Sequence, residues 1–505
     1  MNDSRIESTL HRVTRALSRA CDEYAPDVRV RELGHVLGVE DGVVRIRGLR
    51  DAGAEELVDV AGRRAIVLAL GPDEARAVLL DDATGVGAGS TVRATGTFPS
   101  IGVGAALFGR VVDPLGRPLD GQPLTGQLRP ETLERAAPGI HERAEVHRPL
   151  STGVLAVDAM FPIGRGQREL VVGDEGTGKT SFALDVMLQQ RNTEVLCVYV
   201  AIGRRRAETA RLVEELRQNG GRWVVVSATE DRGPALRYLA PYAGTAIAEH
   251  FARRGEHALV VYDHLTAHAV AWRELALLLR RPPGREAFPG DVFYLHARLL
   301  ERAAQLAPEA GGGSVTALPL AVLEGGRLTS YIPTNLVSIT DGQLVFSSTL
   351  FAAGQKPAID ASLSVSRVGS RAQPQAIREL GSRLKLDYAS FLELEAFSRL
   401  GTRLEEATER TLARGRRIRP LLRARRGRPL DTVAEVVRMV LASSPALLGV
   451  PEDRVEDCAV TCDQAARVEL PTECARVADD GVLSGEARER LEQLVARVIA
   501  ERWTP

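Results

Sequence analysis

VVGDEGTGKTS, residues 171–181, is an apolar run that passes into a glycine-rich loop and closes on Lys179 and Thr180. The loop fits G-x-x-x-x-G-K-[ST], in which backbone N–H groups and the following helix N-terminus wrap phosphates. Gly173, Asp174, Glu175, Gly176, Thr177, Gly178, Lys179, Thr180 and Ser181 are therefore the expected nucleotide-binding residues, with Lys179 on the β and γ oxygens and Thr180 on Mg²⁺. The mechanism needs a strand before the loop and a helix after it. RELVVG and the amphipathic SFALDVML supply both.

Outward from this loop the chain changes texture several times. Downstream and upstream of it, apolar segments alternate with helical patterns, the mark of a parallel α/β sheet; the strand candidates are ELVVG, VLCVYVAIG, WVVVSAT, ALVVYD and SVTALPLAVL. Before it, from Val28, short apolar runs such as GVVRIRGL, ELVDVAG, RAIVLAL, ARAVLL and STVRATG are punctuated by Gly and Asp, as in a small antiparallel barrel. A Gly- and Pro-rich passage, VVDPLGRPLDGQPL, links the two regions. After Arg371 only charged helical patterns remain, among them AIRELGSRLKLDYASFLELEAFSRL and DTVAEVVRMVLASS.

The expected fold is thus an N-terminal small β-barrel, a central P-loop α/β nucleotide-binding domain and a C-terminal α-helical domain. The expected boundaries are 1–27 for an N-terminal amphipathic helix, 28–95 for the barrel, 96–371 for the nucleotide domain and 372–505 for the helices. In the first segment Ile6, Leu10, Val13 and Leu17 form an apolar stripe suited to docking on a partner.

Composition narrows the partners. The 505 residues carry 65 Lys and Arg against 66 Asp and Glu, a net charge of −1 that offers no global attraction to nucleic acid or an anionic membrane. No run approaches the roughly 18 apolar residues of a membrane span, and no secretory signal opens the chain, so a cytoplasmic-side location is expected. The five cysteines are scattered; Cys458, Cys462 and Cys474 are close enough for a thiolate site, but no histidine follows His296, and inert thiols are the simpler reading.

ALVVYDHL ends an apolar strand on Asp263. Such an aspartate either orders Mg²⁺ through water or caps the next helix; pairing with Lys179 and Thr180 favours the metal.

GRGQRELVVGDEGTGKT, LLLRRPPGREAFPGDVFYLHARLLERAA, SYIPTNLVSITDGQL and SVSRVG together resemble the alpha subunits of F-type ATP synthases. The resemblance implies ATP or ADP with Mg²⁺ as ligands. It also implies a ring in which alpha and beta subunits alternate about a gamma stalk, a delta or peripheral stalk, and an ion-translocating membrane sector moving H⁺ or Na⁺. Location at the cytoplasmic side of the inner membrane, peripherally, follows from the same likeness. Related ring proteins do other work, including catalytic beta subunits, homohexameric secretion-type export ATPases and an RNA-translocating terminator.

Three positions decide among these. Catalytic relatives place a glutamate after the glycine of the VYVAIG segment to polarise the attacking water, and here Arg204 stands there. A guanidinium accepts no proton, so the loop is expected to hold nucleotide without hydrolysing it, and the export-ATPase alternative loses its general base. Glu208, one turn further on, is the nearby substitute carboxylate, though a solvated helix face explains it as simply. The resemblance places Arg367 of SVSRVG as an arginine finger for the neighbouring catalytic site.

Departures from the alpha pattern accompany the match. Glu175 and Gly176 replace an Arg-Gln pair; His264 replaces a second aspartate; Lys356 and Pro357, with Ala424 and Arg426, occupy the places of the base pocket. The acidic Glu405, Glu406 and Glu409 lie where the likeness puts the stalk, but fit a solvated face equally. The basic run RGRRIRPLLRARRGRP has no interleaved aromatics and reads as ion-paired surface rather than nucleic-acid contact.

Overall fold

The computed structural model describes residues 13–14, 33–398 and 405–503. Ile6, Leu10 and Leu17 of the expected N-terminal helix therefore lie outside the described residues, as does Cys21. Two compact units are present, one essentially the barrel and the other the remaining chain from Phe98, with Leu79–Asp81.

In the first unit, six strands close in the order Leu33–Glu40, Val43–Arg47, Ala75–Leu79, Arg63–Leu70, Leu57–Val60 and Thr91–Thr97. Closure comes from the antiparallel pairing of the first with the last. Alternation is the cause: Val44, Ile46, Val58, Val60 and Val92 are buried while Arg45, Arg47 and Thr91 face outward. Asp41-Gly42 and Ala61-Gly62, all at positive φ, make the two-residue turns that right-twisted hairpins favour.

The second unit is built on a mostly parallel sheet whose strands run Val365–Ser366, Gly342–Phe346, Glu169–Gly173, Ser314–Val322, His257–Tyr262, Leu196–Ile202, Trp223–Ala228 and Val111–Val112. The inner strands read as continuous apolar runs because helices cover both faces, and Leu196–Ile202 and Trp223–Ala228 are buried at every position. The first strand of this order pairs antiparallel with its neighbour, as does the short Ala304–Gln305 with Ser314–Val322. Gly342–Phe346 is a strand that the apolar patterning did not single out.

Beyond the sheet, helices Gln375–Ser398, Glu406–Leu421, Thr432–Ser443, Val455–Glu469, Pro471–Asp480 and Gly485–Arg502 form the helical region. One continuous apolar core joins it to the nucleotide domain, with Phe161 and Leu344 on one side and Phe391, Val436 and Leu494 on the other. Glu405, Glu406 and Glu409 are exposed at the start of helix Glu406–Leu421, where negative charge complements the helix dipole. The basic run is committed to ion pairs and carbonyls: Arg419 binds Glu395, Arg426 binds Glu215 and Arg417 donates to the Val450 carbonyl. Cys197, Cys458 and Cys462 are buried and Cys474 is half-buried.

The joint between nucleotide and helical regions hides two facing carboxyls. Asp158 accepts from the backbone N–H of Thr152 and Gly153 and from the Thr152 hydroxyl. Glu435 is fully buried against it, and neither of its oxygens meets a hydrogen-bond donor. Burial, then the adjacent Asp158, pushes the Glu435 pKa well above its ordinary 4.5, so Glu435 is the member that keeps a proton. A raised folded-state pKa contributes stability that is complete below the unfolded value and is lost as pH climbs through the folded one. Glu435→Gln mimics the protonated acid and removes this loss. Its apparent Tm should overtake that of the parent chain progressively from pH 5 to 8; a Tm difference independent of pH in thermal-shift measurements would count against the buried proton.

Candidate functional site

Three carboxyl ends of the parallel sheet converge, as ligand sites in such sheets do. Strand Glu169–Gly173 delivers the loop, strand His257–Tyr262 delivers Asp263, and strand Leu196–Ile202 delivers Arg204. Gly173 is required at the loop's entry because a Cβ there would stand 2.5 Å from the Phe346 carbonyl oxygen of the adjacent strand. Gly176 and Gly178 adopt positive φ, and the helix then begins at Lys179.

The expected loop residues are brought together, and several of their polar groups hold hydrogen bonds within the chain. Lys179 Nζ donates to the carbonyls of Gly173 and Asp174 at 2.8 and 2.6 Å. Burial, with the nearby Arg204, lowers its pKa to about 8. The Asp174 carboxylate accepts from the Gly326 N–H at 2.8 Å, and Glu175 is exposed to solvent. That exposure screens the carboxylate that replaces a basic residue of the family pattern.

Thr180 and Asp263 also meet: the hydroxyl donates to the buried carboxylate at 3.1 Å. His264, not Asp263, caps the following helix, its Nδ1 accepting the Ala267 N–H at 3.0 Å, which leaves the Asp263 carboxylate turned to the loop. The finding that sequence reading did not supply is the destination of Arg204. Its Nη2 donates to Asp263 Oδ1 at 2.9 Å and to Thr180 Oγ1 at 3.0 Å, and its Nε donates to Asp263 Oδ2. Burial opposes the charge on this guanidinium, but the Asp263 carboxylate outweighs it and holds the pKa above the ordinary arginine value. Glu208, half-exposed, approaches Nη1 at 3.5 Å.

This arrangement does not fit a divalent ion as it stands. Both oxygens of Asp263 and the hydroxyl of Thr180 are taken by one cation. Among the described residues no group of three or more His, Cys, Asp or Glu side chains is gathered to hold a metal. A doubly charged ion about 4 Å from a guanidinium meets a repulsion of about 8 kcal/mol at an effective dielectric of ~20.

Beside the loop lies a cavity of about 330 Å³ whose lining includes Gly176, Gly178, Lys356, Pro357, Ala424 and Arg426. The four positions expected at the base pocket thus line one cavity. Ala424 N–H donates to the Lys356 carbonyl, and the Lys356 ammonium lies 5.4 Å from the Phe351 ring centre. Asp185 lines the same cavity and was not anticipated; burial lifts its pKa to about 6 although the Gly427 N–H donates to it. Its signal in the sequence is only an acid on the apolar helix after the loop.

Arg367 is elsewhere. Ser366 pairs with Gly342, which pairs with Glu169, at the amino end of the P-loop strand. Four residue steps lead from Glu169 to Gly173, about 13 Å at ~3.3 Å per residue. Arg367 is exposed, and its Nη1 donates to the Thr340 carbonyl at 3.3 Å. Its own phosphate loop is therefore out of its direct neighbourhood.

Comparison with known proteins matches all three regions of the chain. Residues 29–96 match the beta-barrel domain of the ATP synthase alpha/beta family, residues 153–366 its nucleotide-binding domain and residues 373–498 its C-terminal domain. Over 454 residues, 89% of this chain and 85% of the relative, the sequence is 50% identical to ATP synthase subunit alpha 3 of Paraburkholderia xenovorans (strain LB400). With barrel, phosphate loop and helical region all matched in order, the chain belongs to the alpha subunits of the ATP synthase alpha/beta family, whose members bind ATP or ADP in oligomeric complexes.

Proposed function

We propose that this chain is the noncatalytic, nucleotide-holding alpha subunit of a rotary F-type ATP synthase, and that it completes the active site of an adjacent beta subunit with Arg367. The observation that carries the reading is Arg204. It stands where hydrolysis needs a carboxylate, and its guanidinium is bonded to Asp263 and Thr180. A permanently protonated group there polarises no water, so the chain alone is inactive. The same feature disfavours a self-sufficient homohexameric export ATPase.

Arg367 supports the second half of the reading. An exposed guanidinium at the far end of the P-loop strand serves a neighbour better than its own site. In the ring it stabilises charge that develops on the transferred γ-phosphoryl group. The remaining assignments follow the same reading: alternation with beta subunits, contact with gamma and with the delta or peripheral stalk, and coupling to H⁺ or Na⁺ transport. Among the described residues no helix is long and apolar enough to cross a membrane. A peripheral place on the cytoplasmic side of the inner membrane accords with that. Thr180 and Asp263 are the residues that would hold Mg²⁺ with the nucleotide if Arg204 left them.

Two variants test the two halves. Lys179→Ala should abolish ADP binding by the full chain, measured calorimetrically, while its circular dichroism stays that of the parent; undiminished binding would remove the loop from the site. In the assembled complex, Arg367→Lys keeps the charge but loses the planar fork, and kcat should fall on the order of 10³-fold with ground-state nucleotide affinity far less affected. Near-normal turnover by a fully assembled Arg367→Lys complex would leave this chain a scaffold.

A further inference from the structure

The proposed nucleotide site carries an internal cation in the place where a metal is expected, and its bonds are built rather than incidental. Asp263 and Arg204 leave strands that are hydrogen-bonded neighbours, with Val200 in register with Tyr262. The Asp263 N–H donates to the Val200 carbonyl, which sets the two strand ends at one level. Gly203, at positive φ, turns the chain immediately before Arg204, and the Glu230 N–H holds the Arg204 carbonyl at 3.2 Å. The guanidinium then spans Asp263 and Thr180 at once. Asp263 is 3% exposed, so its charge is buried with a partner already in place.

Hard divalent cations take oxygen ligands and need carboxylate charge to offset their own. Here the charge of Asp263 is already neutralised, and His264, where the family pattern has a second aspartate, adds none at its Nδ1, which accepts a backbone N–H. Lys179 and the helix N-terminal N–H groups remain for the phosphates.

We propose that Arg204 is a built-in counter-ion standing in for the divalent metal, and that this site takes its nucleoside di- or triphosphate free of Mg²⁺. The inference rests on the reading of the loop as a nucleotide site, and the test separates the two. ADP binding to the full chain, stripped of nucleotide, is measured by calorimetry with excess MgCl₂ and again with EDTA. The two Kd values should agree within about threefold. Electron paramagnetic resonance with Mn²⁺ as the probe should show no nucleotide-dependent metal binding. Arg204→Gln should restore the requirement, EDTA then weakening ADP binding about tenfold or more, with Mn²⁺ bound alongside ADP. Arg204→Lys, which keeps the charge, should remain metal-independent.

A loss of about tenfold or more for the parent chain in EDTA would overturn the inference and keep the nucleotide reading. Nucleotide-dependent Mn²⁺ binding by the parent chain, or metal-independent ADP binding by a folded Arg204→Gln, would overturn it equally. Absence of ADP binding with and without Mg²⁺ would overturn both.

Discussion

The parallel ladder between strands Leu196–Ile202 and His257–Tyr262 is the constraint on which the site depends. Its register sets Asp263 and the turn at Gly203 at one height. The glycine-rich loop rises two ladder steps away, after strand Ser314–Val322. A slip of one residue would turn every side chain to the opposite face of the sheet. The continuous apolar runs of these strands oppose any such slip, because both faces are packed. Packing of the core and placement of the three functional groups are thus one and the same requirement.

Within that frame electrostatics decides what the site does. A buried aspartate costs several kcal/mol unless a counter-charge and hydrogen bonds accompany it. In a metal-using P-loop protein that counter-charge arrives with the ligand. Here Arg204 provides it from the fold, and the donor is a planar fork that matches both carboxylate oxygens. The residue just past the end of one strand therefore brings a cation, not a carboxylate, into the acidic corner.

How much of this was legible follows from the kinds of signal involved. Strands Glu169–Gly173, Trp223–Ala228 and His257–Tyr262 stand out because they are short, predominantly apolar and bounded by turns. Strand Gly342–Phe346 does not, since Gly342 and Gln343 break the apolar run. The first barrel strand, Leu33–Glu40, was not singled out either, because Gly34, His35 and Gly38 dilute its alternation. The loop itself is a local motif and readable at once. The Arg204–Asp263 pair spans 59 positions, and Asp185 becomes a pocket residue only when the Ala424–Gly427 segment returns beside it. Contacts of that range are fixed by topology, which periodicity does not encode.

The sheet also gives the chain two ends with different electrostatics. At the carboxyl edge lie the loop, Asp263 and Arg204; at the amino edge of the same P-loop strand lie Glu169, Asp341 and Arg367. Glu169 is buried, and its pKa is raised by burial and by Asp341, so it presents little fixed charge to pair with Arg367. Asp341 in turn is gripped by Arg168 at 2.8 and 3.0 Å. Both nearby acids are thus neutralised or engaged, and the Arg367 guanidinium donates to the Thr340 carbonyl while the residue stays exposed. The opposite edge is the reverse, a cation consumed internally by the acid beside it. The two edges thus set an arginine paired with a buried acid against an exposed one that donates to a backbone carbonyl.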